Sequence, residues 1–227
     1  FLTVKAIGLI TTRMPDGSTG FSMLVLIAVE FFPPIQLSYG FTLMGVGGLI
    51  GIHRTMMVDV LRAGLRNRTL DSIMFPPDPI LNAPKIISDL RSVFPPEEGQ
   101  FVVGPMVMIG WGTPTLISGE LCILIQLPDP IRIAILGQLT VTLPTEDAAL
   151  IELHLDVLGV IDFAAKSLSI DATLYDSRVV VFELFGDAAL RLSWGDNPQF
   201  ALSLGGFHPR FSPPPKFPVL RRLTLAL

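Results

Sequence analysis

The chain has 227 residues, half of them hydrophobic and only 16% charged, with a net charge of −4. Typical soluble domains carry about 25% charged residues, and the mean hydropathy here is +0.59. So weak a charge points away from nucleic acid as a partner. The single cysteine, Cys122, excludes an internal disulfide. Between Leu121 and Ile123 in a strand pattern, it reads as a buried structural thiol.

The chain opens at Phe1 directly in a strand pattern, without a secretory leader pattern, and reads as a fragment of a longer protein or as a processed product. Residues 2–13 and 20–31 form a hairpin around Asp16-Gly17. Its second arm is apolar on both faces, with Met23, Val25 and Ile27 on one and Leu24, Leu26 and Ala28 on the other, which predicts burial on both. Pro33-Pro34 breaks it, and Ile35 to Leu43 alternate as a third strand. The glycine-rich run Gly45 to Gly51 misses the dinucleotide-binding spacing at Ile50 and lacks a βαβ setting. It reads as a tight crossing of backbone.

A helix is predicted over 56–67, capped by Thr55, with Met57, Val60, Leu61 and Leu65 as its apolar stripe and Arg62, Arg66 and Arg68 on a solvated side. A short turn over 70–74 follows. A second helix over 83–93, with Asn82 as cap and Pro84 in its first turn, carries the stripe Ile86, Ile87, Leu90, Val93 and Phe94. Two charge-free runs, 31–52 and 101–119, are too interrupted by Gly and Pro to cross a membrane as helices. After a joint at 95–99 the pattern is strands at 101–112, 117–127, 131–143, 151–163, 167–175, 179–194 and 199–206, with a last run at 219–227. Short turns predict a meander.

Strict period two is clearest from 131 to 194. Ile131 to Leu143 and Ile151 to Phe163 are apolar or Gly at every odd position, and Val180 to Trp194 at every even one. Gly137, Gly159 and Gly186 fall near the strand middles, which predicts a line of bending. The candidate ligand-contacting residues on this face are Ile133, Ile135, Leu139, Leu153, Leu155, Val157, Phe182, Leu184 and Leu190.

His53, His154 and His208 lack metal-ligand spacing, and no nucleophile motif is present. Carboxylates at Glu120, Glu152, Asp156, Asp162, Asp171 and Glu183 are spread along strands, where two across a sheet could act as an acid–base pair. Gly40-Phe41-Thr42-Leu43-Met44-Gly45-Val46-Gly47-Gly48-Leu49, then Gly104-Pro105-Met106 with Gly110-Trp111-Gly112, then Leu204-Gly205-Gly206-Phe207-His208-Pro209, resemble a family of large uncharacterised β-rich microbial proteins known only as a domain of unknown function. The resemblance implies a much larger β-rich parent chain and carries no activity.

The fold expected is mainly β (α+β): a long, curved antiparallel β-meander with two or three short amphipathic helices packed on its apolar face. It forms a single β-rich domain over 1–227, with strands over 1–54, a helical insertion over 55–96 and the meander over 101–227. The function expected is a non-enzymatic module that holds or conducts lipid or another apolar ligand. The alternative is a structural module, joined to the remainder of a larger chain or assembly, whose concave face its own helices plug. A hydrolase using paired carboxylates comes third. No cofactor, metal or nucleic-acid partner is expected.

Overall fold

The computed structural model describes residues 1–227. Ten strands lie in sequence order in one open antiparallel sheet: β1 (Leu2–Arg13), β2 (Thr19–Gln36), β3 (Phe41–Arg54), β4 (Pro96–Trp111), β5 (Ile117–Leu127), β6 (Arg132–Leu143), β7 (Ile151–Asp162), β8 (Ser167–Val179), β9 (Phe182–Ser193) and β10 (Gln199–Leu204). A last strand, β11 (Thr224–Ala226), pairs with β9 where β10 has ended. The chain is thus mainly β and a meander, as its periodicity predicts. The helices α1 (Val58–Gly64), α2 (Leu70–Ile73) and α3 (Ala83–Val93) occupy one excursion between β3 and β4. Those two strands pair from Phe41↔Trp111 to Arg54↔Pro96, so the excursion leaves and re-enters the same sheet, and the expected joint at 95–99 is the start of β4.

The helices pack on an apolar sheet face. Leu61, Leu70, Ile73, Ile86, Leu90, Val93 and Phe94 form one core with Leu24, Leu26, Leu49, Val102, Cys122, Leu124, Ala134, Leu136 and Leu158. In β6 and β7 this is the even-numbered face, the opposite of the one singled out by period two. Leu136 is fully buried, while its neighbour Ile135 is 38% exposed. The helices therefore do not plug the odd-numbered face. Likewise β2 is buried on one side only: Leu24, Leu26 and Ala28 lie under the helices, and Ile27 is exposed.

Helix α1 is shorter than predicted and starts without a side-chain cap. Met56 rather than Met57 enters the core, because the chain is still extended there, and Met56 N–H donates to Gln126 Oε1 at 3.2 Å. Helix α3 matches its predicted span, but the Asn82 amide donates to the Pro77 carbonyl and does not cap it. Its C-terminus is held by the buried Arg54, whose guanidinium donates to the Phe94 carbonyl (2.9 Å) and to Thr11 Oγ1 (2.9 Å). The glycine-rich run is part of β3. A Cβ on Gly47 would lie 2.6 Å from the Ile27 carbonyl oxygen, and one on Gly45 would lie 2.9 Å from the Phe75 ring. Gly137, Gly159 and Gly186 occupy three adjacent cross-strand rows rather than a single one.

Candidate functional site

The uncovered face is built by the strand registers. Across β5–β9, one row reads Ile123, Ile135, Gly159, Ile170, Leu190, and the next Leu121, Gly137, Val157, Ala172, Ala188. The row beyond is Gly119, Leu139, Leu155, Leu174, Gly186. Toward the other edge the same face carries Val103 and Val107 of β4, Val46 and Ile50 of β3, Val25 and Ile27 of β2, and Val4 and Gly8 of β1. All nine candidates lie on it; Ile135, Leu139 and Phe182 are exposed and the other six half-buried. The sequence reading missed the share of β1–β5 and of β10, where Leu202 is exposed. Its available signal was the same alternation, masked in β2–β4 by apolar residues on the opposite face, whereas in β10 Phe200, Leu202 and Leu204 alternate openly with Ala201 and Ser203.

From Leu2 on β1 to Leu204 on β10, no charged side chain stands between the strand ends on this face. The one hydroxyl, Ser177 at a bulge between β7 and β9, accepts from His154 N–H (2.9 Å) and donates to the Tyr175 carbonyl (2.8 Å). Ten strands at ~4.8 Å and about 11 residues at ~3.3 Å make a surface of roughly 45 by 35 Å. Contiguous exposed apolar patches on monomeric soluble proteins are usually a few hundred Å².

The face is also zoned. Its aromatic residues stand in two rows: Phe31, Phe41, Trp111 and Phe182 toward one end of the sheet, and Phe21, Phe101, Phe163, Trp194 and Phe200 toward the other. Phe31 pairs with Leu2 at the start of β1 and Phe101 with Leu127 at the end of β5, while β2 and β4 themselves run further. Phe41 and Trp111 are cross-strand partners. Everything between the two aromatic rows is aliphatic, Met, Pro, Ala or Gly, apart from Ser177.

The covered face is chemically different. One row runs Glu30, Gly45, Met108, Glu120, Gln138, Asp156, Thr173, Asp187 across β2–β9. The arginines of the α1 segment serve this face and are not simply solvated: Arg62 meets Asp171 at 3.1 Å, Arg66 meets Asp187 at 2.6 Å, and Arg68 stacks on Tyr175 at 3.9 Å. Arg191 also binds Asp171 (2.7 Å), and Arg221 of the tail binds Asp187 (2.9 Å). Burial opposes the charge on Asp187, but the Arg221 donors and Thr173 outweigh it and hold the carboxyl down at about 2. Burial, reinforced by Asp71, Glu30 and Asp156, pushes Glu120 up to about 8. Burial also raises Asp156 to about 6, against the Gln138 amide at 3.2 Å. Cys122, as expected, is buried, and burial pushes its thiol up to about 12. A cavity of about 310 Å³ beside α2 is lined by Arg68, Asp71, Glu120, Gln138, His154 and Tyr175, with Asp156 sealed beneath. No group of three or more His, Cys, Asp or Glu side chains is placed to hold a metal ion, and no helix is long and apolar enough to cross a membrane.

Fold and surface together define a class: an open antiparallel meander with one face under helices and the other a continuous, charge-free apolar sheet. The chain belongs to the family of unknown function DUF6603, whose model matches residues 1–227. No curated protein and no solved structure matches it.

Proposed function

We propose that this module is a non-enzymatic element that holds or conducts lipid on the uncovered face of its sheet. The observation that carries the reading is the lack of any charged side chain between the strand ends across ten strands. Protein–protein interfaces of standard size carry about ten direct hydrogen bonds. Between its two aromatic rows this face offers no free side-chain donor or acceptor for them, whereas hydrocarbon asks for none. The hydrolase reading is weaker, because Asp156 is fully buried and Gln138 separates it from Glu120. Native mass spectrometry of freshly purified protein tests the proposal: co-purified lipid is expected, and lipid-free protein that takes up none from phospholipid vesicles would refute it.

A second reading, an assembly module, is favoured by one feature. The β1 edge presents an unpaired strand of 12 residues without proline, whose one interior charge, Lys5, is turned onto Glu30 at 2.8 Å. Strand addition there would extend the same apolar face. Light scattering that shows a concentration-dependent oligomer, abolished by Ile7→Lys, would favour it.

A further inference from the structure

We infer that the uncovered face takes phospholipids in two opposed rows, headgroups at the aromatic rows and acyl chains meeting tail to tail over the aliphatic middle. This rests on the lipid reading above and adds the ligand class and its orientation.

Three observations carry it. The first is the zoning. A site for a wholly apolar ligand has no need to segregate its aromatics, yet on this face they fall in two rows with no aromatic between them. Trp and Tyr gather where hydrocarbon gives way to polar headgroups, because their rings are apolar while their tips are polar; each row here carries one such residue, Trp111 or Trp194, among phenylalanines. The second is distance. Phe21 and Phe31 are ten residues apart on β2, as are Phe101 and Trp111 on β4. At ~3.3 Å per residue the two rows are about 33 Å apart, close to the ~30 Å spanned by two acyl layers tail to tail. The third is the lack of enclosure. The cavity that Leu223 roofs on this face, against Leu155, Leu174 and Gly186, holds about 150 Å³, below the ~300 Å³ at which small-molecule sites begin. The face is an open surface suited to many chains side by side, not a pocket for one.

The two tryptophans mark the two rows, Trp111 at one strand end and Trp194 at the other, and Leu121 lies midway on β5, next to Gly137. The chain is incubated with phosphatidylcholine vesicles whose lipids carry bromine near the headgroup or near the chain terminus. The vesicles are then removed, and tryptophan quenching is read in the soluble complex. Trp111→Phe and Trp194→Phe isolate each native tryptophan; Leu121→Trp with both replaced reports the middle. The native tryptophans should be quenched at least twofold more by bromine near the headgroup, and the mid-sheet one at least twofold more by terminal bromine. Equal depth at all three positions, in a complex that retains lipid, overturns the opposed rows and leaves the lipid reading standing. Quenching confined to the vesicle fraction overturns the soluble loading of lipid rows. No bound lipid by mass spectrometry and no quenching overturns both readings.

Discussion

Arg221 wraps Asp187: its Nε lies 3.1 and 3.2 Å from the two carboxylate oxygens, its Nη2 2.9 Å from one of them, and its backbone N–H donates at 2.9 Å. Arg66 reaches the same carboxylate from the α1 segment. One aspartate on β9 thus ties both the helical layer and the C-terminal tail to the sheet. Asp187→Asn should cost about 2–3 kcal/mol, the scale of hydrogen bonds to a charged group. Because the folded carboxyl is held at about 2, below its ordinary 3.8, this stabilisation is present above about pH 4 and is lost as pH falls toward 2. Urea unfolding at pH 6 and pH 2.5 checks it: the wild-type advantage over Asp187→Asn should shrink at the lower pH.

Glu120 and Asp156 act in the opposite sense. Their folded carboxyls are raised to about 8 and about 6 from ordinary values near 4. Between those limits the folded chain holds protons that the unfolded chain has released, so stability falls as pH rises from about 4 to about 8. Glu120→Gln keeps a neutral side chain at all pH and should remove much of that slope. Thermal melts from pH 4 to pH 8.5 measure it; an unchanged slope in Glu120→Gln would show that Glu120 is ionised throughout.

Strands β5–β10 were legible because period two survives in them, and the meander because their turns are short. The extents of β2 and β3 were not, because Met23 to Val29 are apolar at every position and Gly45 to Gly51 is glycine-rich, so β2 runs on through Pro33-Pro34 to Gln36 and β3 spans Phe41–Arg54. The face under the helices was not legible either. Ile133 and Ile135 are as apolar as Ala134 and Leu136, and alternation says which residues share a face, not which face a helix covers. The arginines held the missing clue. Arg62 and Arg66 need acidic partners, and in β8 and β9 those partners, Asp171 and Asp187, project from the face opposite Leu190 and Leu192. The aromatic zoning was visible as the ten-residue spacing of Phe21 to Phe31 and Phe101 to Trp111, but it acquires meaning only once the registers align the strand ends.

Arg54 makes the end of α3 a weak point. Its guanidinium is buried, and its acceptors are the Phe94 carbonyl and the Thr11 hydroxyl rather than a carboxylate. Arg54→Ala removes the cap, strands a buried carbonyl and leaves a cavity, a loss of about 3–5 kcal/mol. Thr11→Ala leaves the Phe94 contact in place and should cost about 1 kcal/mol. Denaturant midpoints compare the two, and equal losses would mean that the helix end does not depend on Arg54.

Adjacent residues on β6 separate the roles of the two faces. Leu136 is fully buried against the helical layer, and Ile135 is 38% exposed on the uncovered face. Leu136→Asp places an unpaired carboxylate in the core, at a cost of several kcal/mol, enough to unfold a domain of ordinary stability. Ile135→Asp leaves its carboxylate at the surface, with an expected cost under about 1 kcal/mol. The same pair can be made on β7, where Leu158 is buried and Leu155 half-buried on the open face. Far-UV circular dichroism should therefore show the Leu136→Asp and Leu158→Asp chains unfolded and the Ile135→Asp and Leu155→Asp chains folded. If the open face holds lipid, the folded pair should still lose most of their bound phospholipid, since a carboxylate amid acyl chains is costly whichever way the chains lie. Folded Ile135→Asp protein with undiminished lipid would separate the apolar face from lipid binding altogether.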